Sequence, residues 1–189
     1  AIGGKDSMSG SFQDLKVPPT LVSFAITTGR EEQVRGGSFT EASHPVYMIT
    51  VPYTGDLAPD FEVFNKNMQA LHGFADNILA AYPVGAGGIA EALTKMSLGN
   101  KIGVILTDTL PTPTLDEIGD HASSLDSLFL PAFGSVLVEA KGGVSPVDFM
   151  AAGFAENTVY MIGSTTEERA IQVVIPGMPS FVLNLDDLE

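Results

Sequence analysis

The 189-residue sequence contains no cysteine and no tryptophan. Without cysteine there is no disulfide, no thiol nucleophile and no thiolate metal site. Basic residues are scarce, nine Lys and Arg against 23 Asp and Glu, which leaves a formal net charge of −14. That balance argues against nucleic-acid and anionic-membrane partners, since both begin from a basic patch. No apolar run reaches the roughly 20 residues that span a bilayer. The first residues lack the basic-then-apolar pattern of a secretory leader, so a cytoplasmic protein is expected. The three histidines, His44, His72 and His121, stand at no metal-ligand spacing and read as structural or solvated. Asp108, Asp116, Glu117 and Asp120 fall in a proline-containing stretch and read as a solvated loop, because their spacing fits no calcium loop. There is no phosphate-binding P-loop and no G-x-S-x-G nucleophile pattern.

What is present points to an α/β domain with a sizeable core. Hydrophobic residues make up 44% of the chain, and charged residues only 17% against a usual value of roughly 25%. Two parts are expected: a polar, glycine-rich arm over 1–16 and a single domain over 17–189. β-rich runs predict strands near 20–28, 46–53, 101–107, 135–140, 159–163, 170–175 and 180–185, the first two pairing antiparallel. A stripe of Phe61, Phe64, Met68, Leu71, Ala75, Ile78 and Leu79 predicts a long helix capped by Asp60 and ended by Pro83 and Gly85. A second helix is expected from Gly88 to Gly99, a short one near 122–130, and another at 146–154 with Pro146 in its first turn. This order excludes a strict β-α-β winding. It predicts a three-layer α/β (α+β) domain with a mixed, mainly antiparallel sheet and packed helices.

Two glycine-rich stretches carry the chemistry. Gly3-Gly4-Lys5-Asp6-Ser7 offers main-chain N–H donors, a cation, a carboxylate and a hydroxyl within five residues, a usable set for a phosphorylated ligand. Gly85-Ala86-Gly87-Gly88 opens a helix, where free N–H groups and the helix dipole favour an anion. Such a turn is at least as often there for close packing.

The run from Gly3 to Phe12, followed by Pro18-Pro19-Thr20-Leu21-Val22-Ser23-Phe24-Ala25, resembles the start of the last quarter of the synthetase region of phosphoribosylformylglycinamidine synthases, the large single-chain formylglycinamide ribonucleotide amidotransferases. Val84 to Glu91 with Lys95-Met96-Ser97, and Phe133 to Val138, agree with that family in order and spacing. The resemblance covers nearly the whole chain and implies a fragment of a much longer enzyme. The implied fold is that of the C-terminal domain of aminoimidazole ribonucleotide synthase, in the second of two such domains. The implied reaction takes formylglycinamide ribonucleotide, ATP and glutamine-derived ammonia to the formylglycinamidine, through phosphoryl activation of the substrate's amide oxygen.

By position within the family motif, Gly4 falls to ATP, Lys5 to magnesium and Ser7 to the ribonucleotide substrate. Lys5 stands where small-subunit relatives carry asparagine. An ammonium cannot ligate magnesium, so Lys5 is expected to neutralise a phosphate and Asp6 becomes the nearest metal ligand. At the second stretch, Pro83 and Gly85 occupy positions where relatives carry acidic and hydroxyl groups. Only main-chain contacts to a nucleotide, from Gly87 and Gly88, are then expected. ATP and Mg²⁺ are the implied cofactors. The implied partners are the remaining nucleotide-binding and glutaminase domains of the parent synthase. Two other readings stay open: a selenophosphate-synthase-like or hydrogenase-maturation domain, and a non-catalytic interaction domain of the same fold.

Overall fold

The computed structural model describes residues 10–18, 22–54, 58–108, 110–111, 125–177 and 179–188. The expected ligand loop, with Gly4, Lys5, Asp6 and Ser7, lies outside the described residues. So do His121, Asp116, Glu117 and Asp120. The chain divides into two compact units, the first ending at Glu31 and the second running from Glu32.

In the first unit, β1 (Gly10–Phe12) and β2 (Leu15–Val17) form an antiparallel hairpin that places Gly10 opposite Val17. Gln13 in its turn takes a positive φ of 52°. Residues 22–30 form no strand, and Val22, Phe24 and Ile26 are 62%, 88% and 97% exposed. The buried strand expected at 20–28 is therefore absent over its described residues. Alternation of apolar side chains creates a face to cover, but a strand also needs a neighbour for its N–H and C=O groups. The described residues pair no strand with this segment.

The second unit is built on a seven-stranded sheet. Its strands are β3 (Pro45–Ile49), β4 (Ile78–Pro83), β5 (Gly103–Leu106), β6 (Val136–Ala140), β7 (Val159–Thr166), β8 (Ala170–Val173) and β9 (Phe181–Asn184). They lie in the order β4-β6-β3-β7-β5-β8-β9. Every pairing is antiparallel except that of β5 with β8. The expected pairing of the first two β-rich runs is replaced: β3 lies between β6 and β7.

Alternation along β3 shows why there are three layers, since successive side chains leave opposite faces of a sheet. Val46 and Met48 enter one buried cluster with α2 (Gly88–Asn100), while Tyr47 and Ile49 enter another with α1 (Phe61–Gly73) and α3 (Pro146–Ala151). The second cluster is centred on rings: Phe149 lies 4.7 Å from Tyr47, 4.9 Å from Phe74 and 5.2 Å from Phe154, centroid to centroid.

Asp60 caps α1 as expected, its Oδ1 accepting from the N–H groups of Glu62 and Val63 at 2.9 and 3.1 Å. The helix does not reach Leu79. It ends at Gly73, a 3-10 turn follows at Ala75–Asn77, and Ile78 begins edge strand β4. Ile78 and Leu79 fit the helical stripe in sequence, but here they lie in a strand, and a register shift between Ile78 and Ala80 sends those two side chains into opposite cores of the sheet. Arg35 holds the junction: its Nε donates to the carbonyls of Ala75 and Ile78 at 3.1 and 2.8 Å. The helix expected near 122–130 is, over its described residues, a 3-10 turn at Leu125–Phe129.

Candidate functional site

Strand β4, the glycine turn and α2 follow one another and present the second expected site. Val84 is tied to the start of β6, its N–H donating to the Ser135 carbonyl at 2.9 Å. Gly85 then turns the chain, with the Gly88 N–H donating back to its carbonyl at 3.2 Å. Gly88 adopts φ +69°, and a Cβ there would stand 2.5 Å from the Leu128 carbonyl oxygen. Only glycine permits both the conformation and the approach. Packing of the turn against the 3-10 turn at 125–129 is thus sufficient reason for Gly88.

Gly87 has a different neighbour. Its N–H donates to Glu91 Oε2 at 2.9 Å, and a Cβ on Gly87 would lie 2.6 Å from that oxygen. The carboxylate of Glu91 therefore sits at the N-terminus of its own helix, where an anion is favoured by the exposed N–H groups and the dipole. Lys95 Nζ donates to Glu91 Oε1 at 2.6 Å and stands 5.8 Å from the centre of the Tyr82 ring. The Lys95 hydrogen bond, then the Gly87 N–H, hold the Glu91 carboxyl below its usual range. The same bond, with Tyr82 second, raises the Lys95 ammonium. A ligand phosphate would fit the Gly87 N–H only in exchange with Glu91. The sequence carried a signal for this pair in its i,i+4 Glu-to-Lys spacing.

Behind this pair lies a cavity of about 390 Å³ with largely apolar walls. The first half of α2 supplies Ala90, Leu93 and Thr94, the 3-10 turn supplies Leu128 and Phe129, and the sheet supplies Leu106, Ile171, Val173, Phe181 and Leu183. No periodicity reveals it, because it is formed by five separate elements.

At the other end of β3 is a buried polar cluster that sequence reasoning missed. Glu139 on β6 is fully buried. Its carboxylate accepts from the Thr40 N–H at 2.7 Å, the Thr40 hydroxyl at 2.9 Å and the Glu41 N–H at 3.3 Å, and lies 2.7 Å from His44 Nδ1. His44 is thus structural, as expected, while His72 is exposed on α1. Among the described residues no three His, Asp or Glu side chains come together as a metal-holding group.

No family model matches the sequence, and no curated protein sequence matches it. Solved structures do. Phosphoribosylformylglycinamidine synthase II from Thermotoga maritima superposes with a TM-score of 0.65 over 84% of this chain and 28% of its own, at 12% identity. The T. maritima PurL complexed with ATP gives 0.63, over 84% of this chain and 27% of its own, also at 12% identity. HypE of E. coli, a hydrogenase maturation protein, gives 0.59 at 14% identity, over 80% of this chain and 52% of its own. The chain has the fold these proteins share, that of aminoimidazole ribonucleotide synthase-like domains, as the sequence predicted. It spans about a quarter of the length of the first of them.

Proposed function

We propose that this chain is the second aminoimidazole ribonucleotide synthase-like C-terminal domain of a phosphoribosylformylglycinamidine synthase, with the ligand loop that precedes it. The observation that carries the reading is the structural likeness to T. maritima PurL, which includes the PurL complexed with FGAR at TM-score 0.64. The Gly3–Ser9 and Val84–Glu91 stretches, which resemble the same family, support it. On this reading ATP supplies the phosphoryl group that activates the substrate amide for attack by ammonia. The chain's own residues bind and orient. Ser7 holds the ribonucleotide, Lys5 neutralises phosphate with Gly4 beside it, and Asp6 ligates Mg²⁺. Gly87 and Gly88 present the main chain at the start of α2. Glu91 withdraws toward Lys95 when an anion takes its place on the Gly87 N–H. Catalysis of this kind depends on positioning and charge neutralisation. The remaining nucleotide-binding and glutaminase domains complete the site, and the whole works in the cytoplasm.

The test uses the full-length protein that contains this chain. Given ATP, Mg²⁺, formylglycinamide ribonucleotide and ammonia, it should release ADP and phosphate. Ser7→Ala should lower kcat/KM about tenfold to a hundredfold, the loss of one or two hydrogen bonds of roughly 1–2 kcal/mol. Unchanged kinetics would remove Ser7 from the site. The match to HypE supports a second reading, a domain of a hydrogenase-maturation type of protein. Release of ADP that does not depend on formylglycinamide ribonucleotide would favour it.

A further inference from the structure

The seven-stranded sheet has two edges, and they differ. Edge strand β4 is covered. Gly36 bridges Ala80 in parallel, the Ala81 N–H donates to the Gly36 carbonyl at 3.0 Å, and a register shift between Ile78 and Ala80 interrupts the strand. Edge strand β9 has no further strand beside it among the described residues. Its four residues, Phe181-Val182-Leu183-Asn184, include no charge and no proline, and they pair with β8 without a shift. Cover, charge, proline and bulges are the usual means that keep an edge from pairing with another chain. Strand β9 uses none of them.

The sequence around β9 agrees. From Ala170 to Leu185 there is no charged residue, in a chain of net charge −14. The two charges that flank this run are paired with each other, Arg169 Nη2 lying 2.6 Å from Asp186 Oδ1. A second copy of so acidic a chain meets repulsion from most directions. Along β9 no like charges face one another.

The ladder fixes which groups are free to pair. The Leu185 N–H donates to the Arg169 carbonyl at 2.9 Å. By the alternation of an antiparallel pair, Leu183 and Phe181 then also turn their main-chain groups toward β8. The N–H and C=O of Val182 and the N–H of Asn184 point outward from the sheet. Side chains alternate between the two faces. Phe181 and Leu183 line the cavity on the α2 side, and Val182, 61% exposed, stands on the opposite face.

We propose that β9 is the edge along which two copies of this chain pair, antiparallel about a two-fold axis at Val182. In that register Val182 meets Val182 of the second copy, and the two exchange both main-chain bonds. Asn184 meets Ser180, and its N–H donates to the Ser180 carbonyl. On the α2 side Phe181 meets Leu183, apolar against apolar. Each contact off the axis occurs twice, as an isologous interface requires. The inference does not depend on the function proposed above.

The 189-residue chain tests this in solution. By sedimentation equilibrium its average mass should rise from one chain toward two over about 1–100 µM, because a four-residue edge makes a small interface. Val182→Lys sets two ammonium groups side by side at the axis and should hold the mass at one chain throughout. Ile26→Asp, in the first unit, should leave the association unchanged. The absence of cysteine allows a test of the register as well. Val182→Cys places two thiols across the axis at the roughly 5.5 Å Cα separation of a hydrogen-bonded pair, which a disulfide spans. Mild oxidation should link the two copies. Val174→Cys, half exposed but off the axis, should give no linked dimer. A single-chain mass at every concentration overturns the proposal. So does association that survives Val182→Lys, or that Ile26→Asp abolishes. Should Val182→Lys not fold, the cysteine variants decide: no linkage at Val182→Cys, or equal linkage at Val174→Cys, overturns it.

Discussion

Two buried polar residues have opposite consequences. The Glu139 carboxylate is fully buried and serves as the common acceptor of Thr40, Glu41 and His44. Removing it leaves these part-buried donors without their acceptor, and each donor so stranded costs about 1–3 kcal/mol. Glu139→Ala should therefore destabilise by about 3 kcal/mol or more, and Glu139→Gln by less because one oxygen remains to accept. Urea midpoints of the two variants measure this, and equal, small losses would refute it. Ser97 is the reverse case. Its hydroxyl is buried on α2 with no hydrogen-bond partner among the described residues. Ser97→Ala should leave stability unchanged or raise it by up to about 1 kcal/mol, read from the same midpoints. A loss of that size would mean that the hydroxyl is satisfied in solution.

At the scale of elements, both α2 and α3 begin at carboxylates whose titration couples to folding. Glu91 is held low by Lys95 and by the Gly87 N–H, and Asp148 by the hydroxyl and N–H of Ser145. A folded-state pKa below the unfolded one adds stability that is complete above the unfolded pKa and lost as pH falls through the folded one. Stability should therefore hold on acidification to about pH 5 and decline below about pH 4. The double variant Glu91→Gln, Asp148→Asn should show a shallower decline in thermal melts over that range. An unaltered slope would mean that other carboxylates govern it. For α1, Asp60→Ala removes an acceptor of two N–H groups and should cost about 1 kcal/mol.

At the scale of the whole molecule, the proposed function divides its site between this chain and the rest of a longer one. The purified 189-residue chain should fold, because the seven-stranded sheet has helices on both faces. It should nevertheless release no ADP from ATP with formylglycinamide ribonucleotide and ammonia. A coupled ADP assay with the full-length protein as positive control checks this. Turnover by the isolated chain would overturn the idea that it holds only part of the site.

The sequence alone determined the layered α/β fold, most strand positions, the cap of α1 and the proline that opens α3. These depend on local alternation, helical spacing and turn chemistry, which reside in neighbouring residues. It also indicated a glycine turn at the head of α2. Tertiary structure decided whether the apolar residues of 75–83 continue a helix or form a strand. Ile78, Leu79 and Ala80 suit both periods, and the choice rests on pairing with β6 and on Arg35, 43 residues away. It also decided what the glycine turn holds, since Gly88 yields to a carbonyl 40 residues on and Gly87 to the carboxylate of its own helix. The buried Glu139 cluster and the groove beside α2 exist only once distant elements meet. Such sites are set by long-range contacts, which no window of sequence contains.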